Sequence, residues 1–164
     1  MSRTYQVITL FSDDTLEHNV ALGLLGLRPA RWQMWRTLAS YDEISAEARR
    51  ILDAVGLLDL ASRPVSEIAY GERRRVELAM AFAQRPRILL LDEPFPGLSD
   101  AERATVKSLG SIPRGTIVMM IEHDMDTALD LADTVTLLNS GRVIVDRPRD
   151  AVADERTREV YLGA

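Results

Sequence analysis

Ile88-Leu89-Leu90-Leu91-Asp92-Glu93-Pro94 is the stretch on which the reading of this 164-residue chain turns. Four consecutive apolar residues bounded by polar ones read as a short buried strand. That strand delivers two adjacent carboxylates, Asp92 and Glu93, to its carboxyl end. Such a pair can hold a hard cation and activate a water molecule, or it can simply close a buried strand with a polar turn. The neighbouring segments decide between the two.

Just upstream, Ala69-Tyr70-Gly71-Glu72 opens a helix that continues to about Gln84, with Val76, Ala79, Met80 and Ala83 on its inward stripe. Arg73, Arg74 and Arg75 sit near its start, the unfavourable end for cations in the helix dipole. They read either as a solvated face or as a sign of anionic neighbours. Downstream, Ser99-Asp100-Ala101-Glu102 is a capping box that starts a helix ending near Gly110. Thr116–Ile121 is a second strand without polar alternation, as expected of a parallel sheet covered on both faces. It leads into Glu122-His123-Asp124 and a helix over Met125–Ala132. Thr134–Leu138 and Arg142–Asp146 flank Asn139-Ser140-Gly141 as a hairpin, and two short helical pieces follow from Pro148.

Towards the N-terminus the character is helical. Residues 5–11 read as a short strand, and Asp14-Thr15-Leu16-Glu17 as a capping box with Asp14 as the N-cap. The helix behind it carries Leu16, Val20 and Leu24 on one face and stops by Arg28-Pro29. Residues 30–42 hold Trp32 and Trp35, which serve either a core or a partner surface. Glu43–Val55 is strongly amphipathic, with Gly56 as its C-cap. The chain thus divides into a mostly helical part, residues 1–85, and an α/β part, residues 86–164. The second part has too few strands for a complete doubly wound domain.

The composition excludes several classes. A net charge of -5 gives no electrostatic footprint for nucleic acid. The absence of cysteine removes disulfides, thiolate nucleophiles and Cys-based metal sites. The longest helical apolar run, Val20–Leu27, is far below the ~20 residues of a membrane span, so any membrane contact is expected to run through a partner protein. Nineteen of the twenty basic residues are Arg, and Lys107 is the only Lys.

Taken in order, Ala69-Tyr70-Gly71-Glu72, Ile88 to Pro94, Gly97-Leu98-Ser99 and Ile121-Glu122-His123-Asp124 resemble the motifs of an ATP-binding-cassette (ABC) ATPase. Arg3-Thr4-Tyr5-Gln6 resembles the segment around that family's Q-loop. The Tyr-Gly-Glu signature and the tail Val160-Tyr161-Leu162-Gly163 look most like the ATPase subunits of branched-chain amino-acid importers. The resemblance implies an α/β fold: part of a P-loop NTPase (RecA-like) core with an ABC helical subdomain. It implies roles residue by residue. Asp92 matches the Walker B aspartate that holds Mg²⁺ through its water shell. Glu93 matches the catalytic carboxylate that polarises the attacking water. His123 matches the switch histidine that contacts the γ-phosphate, and Gln6 matches the glutamine that touches metal and water. Ala69, Tyr70, Gly71 and Glu72 match the signature that faces the nucleotide of a second ATPase subunit, and Gly97, Leu98 and Ser99 match the D-loop. The implied ligands are ATP and Mg²⁺. The implied partners are that second subunit and transmembrane permease subunits, which would place the protein on the cytoplasmic face of the cell membrane.

The sequence also departs from the pattern. Ala69 stands where a Ser usually reaches the γ-phosphate, and Ser99 where Asp or Asn is more frequent. A P-loop requires Gly-x-x-x-x-Gly-Lys-Ser/Thr, whose backbone N–H nest and Lys hold the phosphates. Lys107-Ser108 is preceded by Val106 rather than Gly, so the sequence holds no P-loop. The expectation is therefore the C-terminal part of such an ATPase, lacking the Walker A half and binding ATP and Mg²⁺ weakly or not at all alone. Its sheet is expected to have an uncovered edge or face that promotes association. Two alternatives remain: a non-catalytic docking module for a permease, and a soluble ABC protein without a transport role. Against the latter stand the acidic balance and the missing coiled-coil heptads.

Overall fold

Three parallel strands and a three-helix cluster are the frame of the first of two compact units, Met1–Ile121 and Glu122–Ala164. The structure, a computed structural model, describes residues 2–3, 10–33, 35, 37–109 and 115–152. The first unit contains β1 (Ser2–Arg3), α1 (Leu16–Leu25), α2 (Asp42–Ala54), α3 (Tyr70–Ala83), β2 (Ile88–Asp92), α4 (Asp100–Leu109) and β3 (Ile117–Ile121). The second contains α5 (Met125–Leu131), β4 (Thr134–Asn139), β5 (Arg142–Pro148) and α6 (Arg149–Val152).

Local chemistry explains the ends of these elements. Thr15, not Asp14, caps α1: its side chain accepts from the His18 amide at 3.2 Å. Asp14 instead accepts from the Thr15 amide at 2.9 Å and pairs with His18. Glu17 does not reach back to the cap; it binds Ser45 and Arg49 of α2, so a residue expected in a local box ties two helices together. Gly56, at φ +67°, follows the Val55 cap of α2. The Leu57 amide bonds Leu52 O and the Gly56 amide bonds Asp53 O, both at 2.9 Å, which is the Schellman pairing.

α3 is the wall between two cores. Val76 and Ala79 join Leu16, Val20, Ile44, Ala48 and Leu52 of the helical cluster. Leu78 and Ala81 join Leu89 and Leu91 of β2, with Phe95 and Leu98 beyond the strand. A helix buried on two faces carries apolar residues around much of its circumference.

The sheet runs in the order β1-β2-β3, with Leu89 paired to Val118 and Asp92 to Ile121. One face packs on α3. The other does not match the expectation of a sheet covered on both sides: Ile117, Met119 and Ile121 are 61–64% exposed. The strand expected at residues 5–11 falls mostly outside the described residues, and the described β1 lies before it. In the second unit, β4 and β5 form an antiparallel hairpin turning at Ser140 and Gly141, both at positive φ. Leu129, Val135, Val145 and Val152 make its small core.

Candidate functional site

Beyond Asp92 the chain turns sharply. Glu93 adopts φ +42°, a left-handed conformation that costs a non-glycine residue of the order of 1 kcal/mol or more. Its amide donates to Ile121 O of β3 at 3.0 Å. On the other side stands Arg74 of α3, 1% exposed and the largest fully buried side chain among the described residues. Its Nη2 donates to Asp92 O at 3.0 Å and Glu93 O at 2.8 Å, and its Nε donates to Pro94 O at 3.3 Å. Nη1 donates to Glu77 at 2.6 Å, so the buried guanidinium has a counter-charge one turn along its own helix. The Asp92–Pro94 turn is thus held from both sides.

Of the two readings of these arginines, anionic neighbours hold for Arg74 and for Arg75, which meets Glu102, and Arg73 and Arg75 are also tied to the main chain. Arg73 donates to Ile68 O at 2.7 Å and Ser66 O at 3.2 Å, and Arg75 donates to Val55 O at 2.8 Å. Successive residues of one helix turn therefore anchor three different segments. Nothing in the sequence distinguishes the partners, because all of those named are backbone carbonyls apart from Glu77 and Glu102.

The first turn of α3 lies against the segment after β2. A Cβ on Gly71 would meet the Glu102 carboxylate at 3.1 Å and Gly97 O at 3.3 Å. A Cβ on Gly97, which sits at φ +76°, would meet the Tyr70 ring at 3.0 Å. Gly97 is favoured by its left-handed φ as well as by the Tyr70 ring, and Gly71 sits where a side chain would press on Gly97 O and Glu102. Leu98 is buried beneath it, and Ser99 caps α4 in the expected box: its amide and hydroxyl donate to Glu102 at 2.9 and 2.7 Å.

Glu102 is the acidic node of this contact. The Ser99 amide first, and its hydroxyl second, hold the carboxyl below the ordinary carboxylate range; burial opposes them, and Arg75 at 3.4 Å adds a weaker lowering pull. A depressed folded-state pKa contributes stability that is fully present above the ordinary range and is lost as pH falls through the folded value. Unfolding measured across the acid range should therefore show a shallower loss of stability in Glu102→Gln than in the parent, together with a lower stability at neutral pH.

Ala69 is the N-cap of α3. Glu72 accepts from the Ala69 amide at 2.9 Å, but alanine has no acceptor to return the bond. Ala69→Ser supplies one for the Glu72 amide and should stabilise the chain by about 1 kcal/mol, read from the denaturation midpoint. The N–H groups of the first helical turn have no intrahelical acceptors, which makes this end suitable for an anion.

The structure thus brings together Asp92, Glu93, the Ala69–Glu72 turn and Gly97–Ser99 within the first unit. His123 is exposed, two residues after β3, and belongs to the second unit beside Asp124, the N-cap of α5. Gln6 lies outside the described residues. No three His, Cys, Asp or Glu side chains gather into a metal cage among the described residues. The Asp92–Glu93 pair fits a hydrated Mg²⁺ held mainly by water and phosphate oxygens, the usual mode for that ion. No helix among the described residues is long and apolar enough to cross a membrane.

Comparison with known proteins bears on the family and the fold. Residues 1–96 match the ABC transporter family. The chain is 32% identical over 176 residues to the high-affinity branched-chain amino acid transport ATP-binding protein BraF of Pseudomonas aeruginosa, covering 98% of this chain and 67% of that protein. It is 36% identical over 160 residues to the phosphonates import ATP-binding protein PhnC 2 of Rhodopseudomonas palustris, covering 90% of this chain and 54% of that one. The fold matches the crystal structure of the ADP conformation of an ATP-binding cassette of an ABC transporter, with a TM-score of 0.71 at 23% identity over 99% of this chain and 68% of that chain.

Proposed function

The chain belongs to the ABC transporter family, and from that premise we propose that it provides the signature, Walker B and switch-histidine portion of an importer ATPase. Asp92 would hold Mg²⁺ through water, and Glu93 would orient and deprotonate the water that attacks the γ-phosphate. His123 and Gln6 would contact the γ-phosphate and the metal shell. The Ala69–Glu72 turn would present its N–H groups to the nucleotide of a second ATPase subunit, alongside Gly97–Ser99. When bound, Mg²⁺ would neutralise phosphate charge. The observation that supports this reading is the joint placement of the signature turn and the Asp92–Glu93 turn, tied to one helix. By function the chain divides at residue 85 into a signature subdomain and a Walker B half.

Branched-chain amino acids are the solute we favour, from the Tyr70-Gly71-Glu72 form of the signature and the alignment of 98% of this chain with 67% of BraF. The protein would work at the cytoplasmic face of the membrane, bound to permease subunits. Because the sequence lacks a phosphate-binding loop, this chain alone should release no phosphate from ATP in the presence of Mg²⁺. Turnover should appear when a P-loop-bearing portion and the permease are supplied. Mg²⁺-dependent turnover by the pure chain would overturn the proposal.

One observation favours a second role, docking. Trp32 and Trp35 are 75% and 97% exposed on a segment of short turns and belong to neither the helical nor the sheet core cluster. A groove of about 630 Å³ lined by Leu10, Phe11, Asp13, Asp14 and Leu22 opens on the same helical part of the chain. Binding to a permease without nucleotide, abolished by Trp35→Ser, would support a docking role that is independent of hydrolysis.

A further inference from the structure

We infer that Arg74 is a positioning residue for hydrolysis: it sets the direction of Glu93 by gripping the backbone of the turn that carries it. The inference rests on the reading of Glu93 as the catalytic carboxylate.

A left-handed residue inside a chain of L-amino acids persists only where its surroundings over-determine it. Around Glu93 two backbone restraints stand on opposite sides of its Cα. The amide before its Cα is held by Ile121 O, and the carbonyl after it by Arg74. Arg74 also grips the carbonyls on either side, Asp92 O and Pro94 O. A guanidinium is suited to this task because its donors diverge in one plane; a lysine ammonium has no such fork. Burying the charge is costly, and the chain meets the cost with Glu77. Pro94 is itself buried, so the turn cannot relax outward on that side without exposing the ring.

Arg74 lies on the first turns of α3, close behind the Ala69–Glu72 turn that would meet nucleotide. Any displacement of that helix end is therefore delivered to the Asp92–Pro94 turn through the three hydrogen bonds of Arg74, one of them to the Glu93 carbonyl. The nucleotide-facing turn and the water-activating carboxylate become parts of one rigid body.

Arg74→Lys keeps the charge and the pairing with Glu77 but loses the fork. In the chain itself, hydrogen exchange of the Glu93 amide should speed up at least tenfold, while the Leu52 amide in α2 stays unchanged. In the ATPase assembled with a P-loop-bearing portion, kcat should fall at least tenfold with KM for ATP within twofold. Unchanged exchange at Glu93, or faster exchange that is equal at Leu52, would overturn the inference, as would full retention of kcat. If Arg74→Lys does not fold, the uncharged pair Arg74→Gln with Glu77→Gln takes its place under the same criteria. An assembled wild type whose turnover is insensitive to Glu93→Gln would overturn the catalytic premise, while the exchange result would still decide whether Arg74 sets the turn.

Discussion

Glu93→Gln in the assembled ATPase should lower turnover by about 10²–10⁴-fold while leaving ATP affinity within twofold. The substitution keeps side-chain shape and removes the basic oxygen that would take a proton from the attacking water. It should not disturb the turn. Two backbone hydrogen bonds hold Glu93, the amide to Ile121 O and the carbonyl to Arg74, and the substitution leaves both in place. Loss of turnover is therefore expected without loss of fold, which separates a chemical role from a structural one. Phosphate release in a single turnover, measured beside equilibrium nucleotide binding, distinguishes the two. Retained turnover would assign the proton transfer to another group.

Leu52→Ala should destabilise the first unit by about 2–5 kcal/mol, a large share of the roughly 5–15 kcal/mol that holds a typical domain. Leu52 is fully buried on α2 within the cluster shared with α1 and α3, and its carbonyl also receives the Leu57 amide that ends the helix. Removing its branched end leaves a void that the rigid helices around it fill only in part. The denaturant midpoint should fall with the slope unchanged. Because the helical and sheet clusters share α3, loosening one is expected to weaken the seat of Arg74 as well.

How far the sequence spoke for itself differs from one residue to the next. The starts of α3 and α4, the Gly56 stop and the Asp92-Glu93 strand end were legible, because each depends on side chains within a few positions of one another. The cap of α1 was not. Asp14 and Thr15 both offer an acceptor, and the choice followed from Asp14 meeting His18 and Glu17 meeting Ser45 and Arg49 across 28 and 32 residues. For the arginines of α3 the sequence left open a solvated face or anionic neighbours; Glu77 and Glu102 supply the latter, while the main-chain carbonyls they also bind are brought close only by folding. The bare face of β3 was anticipated as an uncovered surface, although its apolar sequence also fits a strand covered on both sides. Of the candidate site, the residue types were readable throughout. Within the first unit, Tyr70 and Gly71 lie against Gly97 and Glu102, and Arg74 of the same helix holds Asp92 and Glu93.

The arginine anchors of α3 also bear on how such a chain can diverge. Arg73, Arg74 and Arg75 reach Ser66, Ile68, Val55, Asp92, Glu93 and Pro94 through carbonyl oxygens, and every amino acid carries that oxygen. The tie itself therefore sets no demand on the recipients' side chains, which answer only to their own packing or chemistry, while the donors are fixed. Sequence drift in the connecting segments leaves the architecture around the turn intact, so long as the three guanidinium groups stay in place.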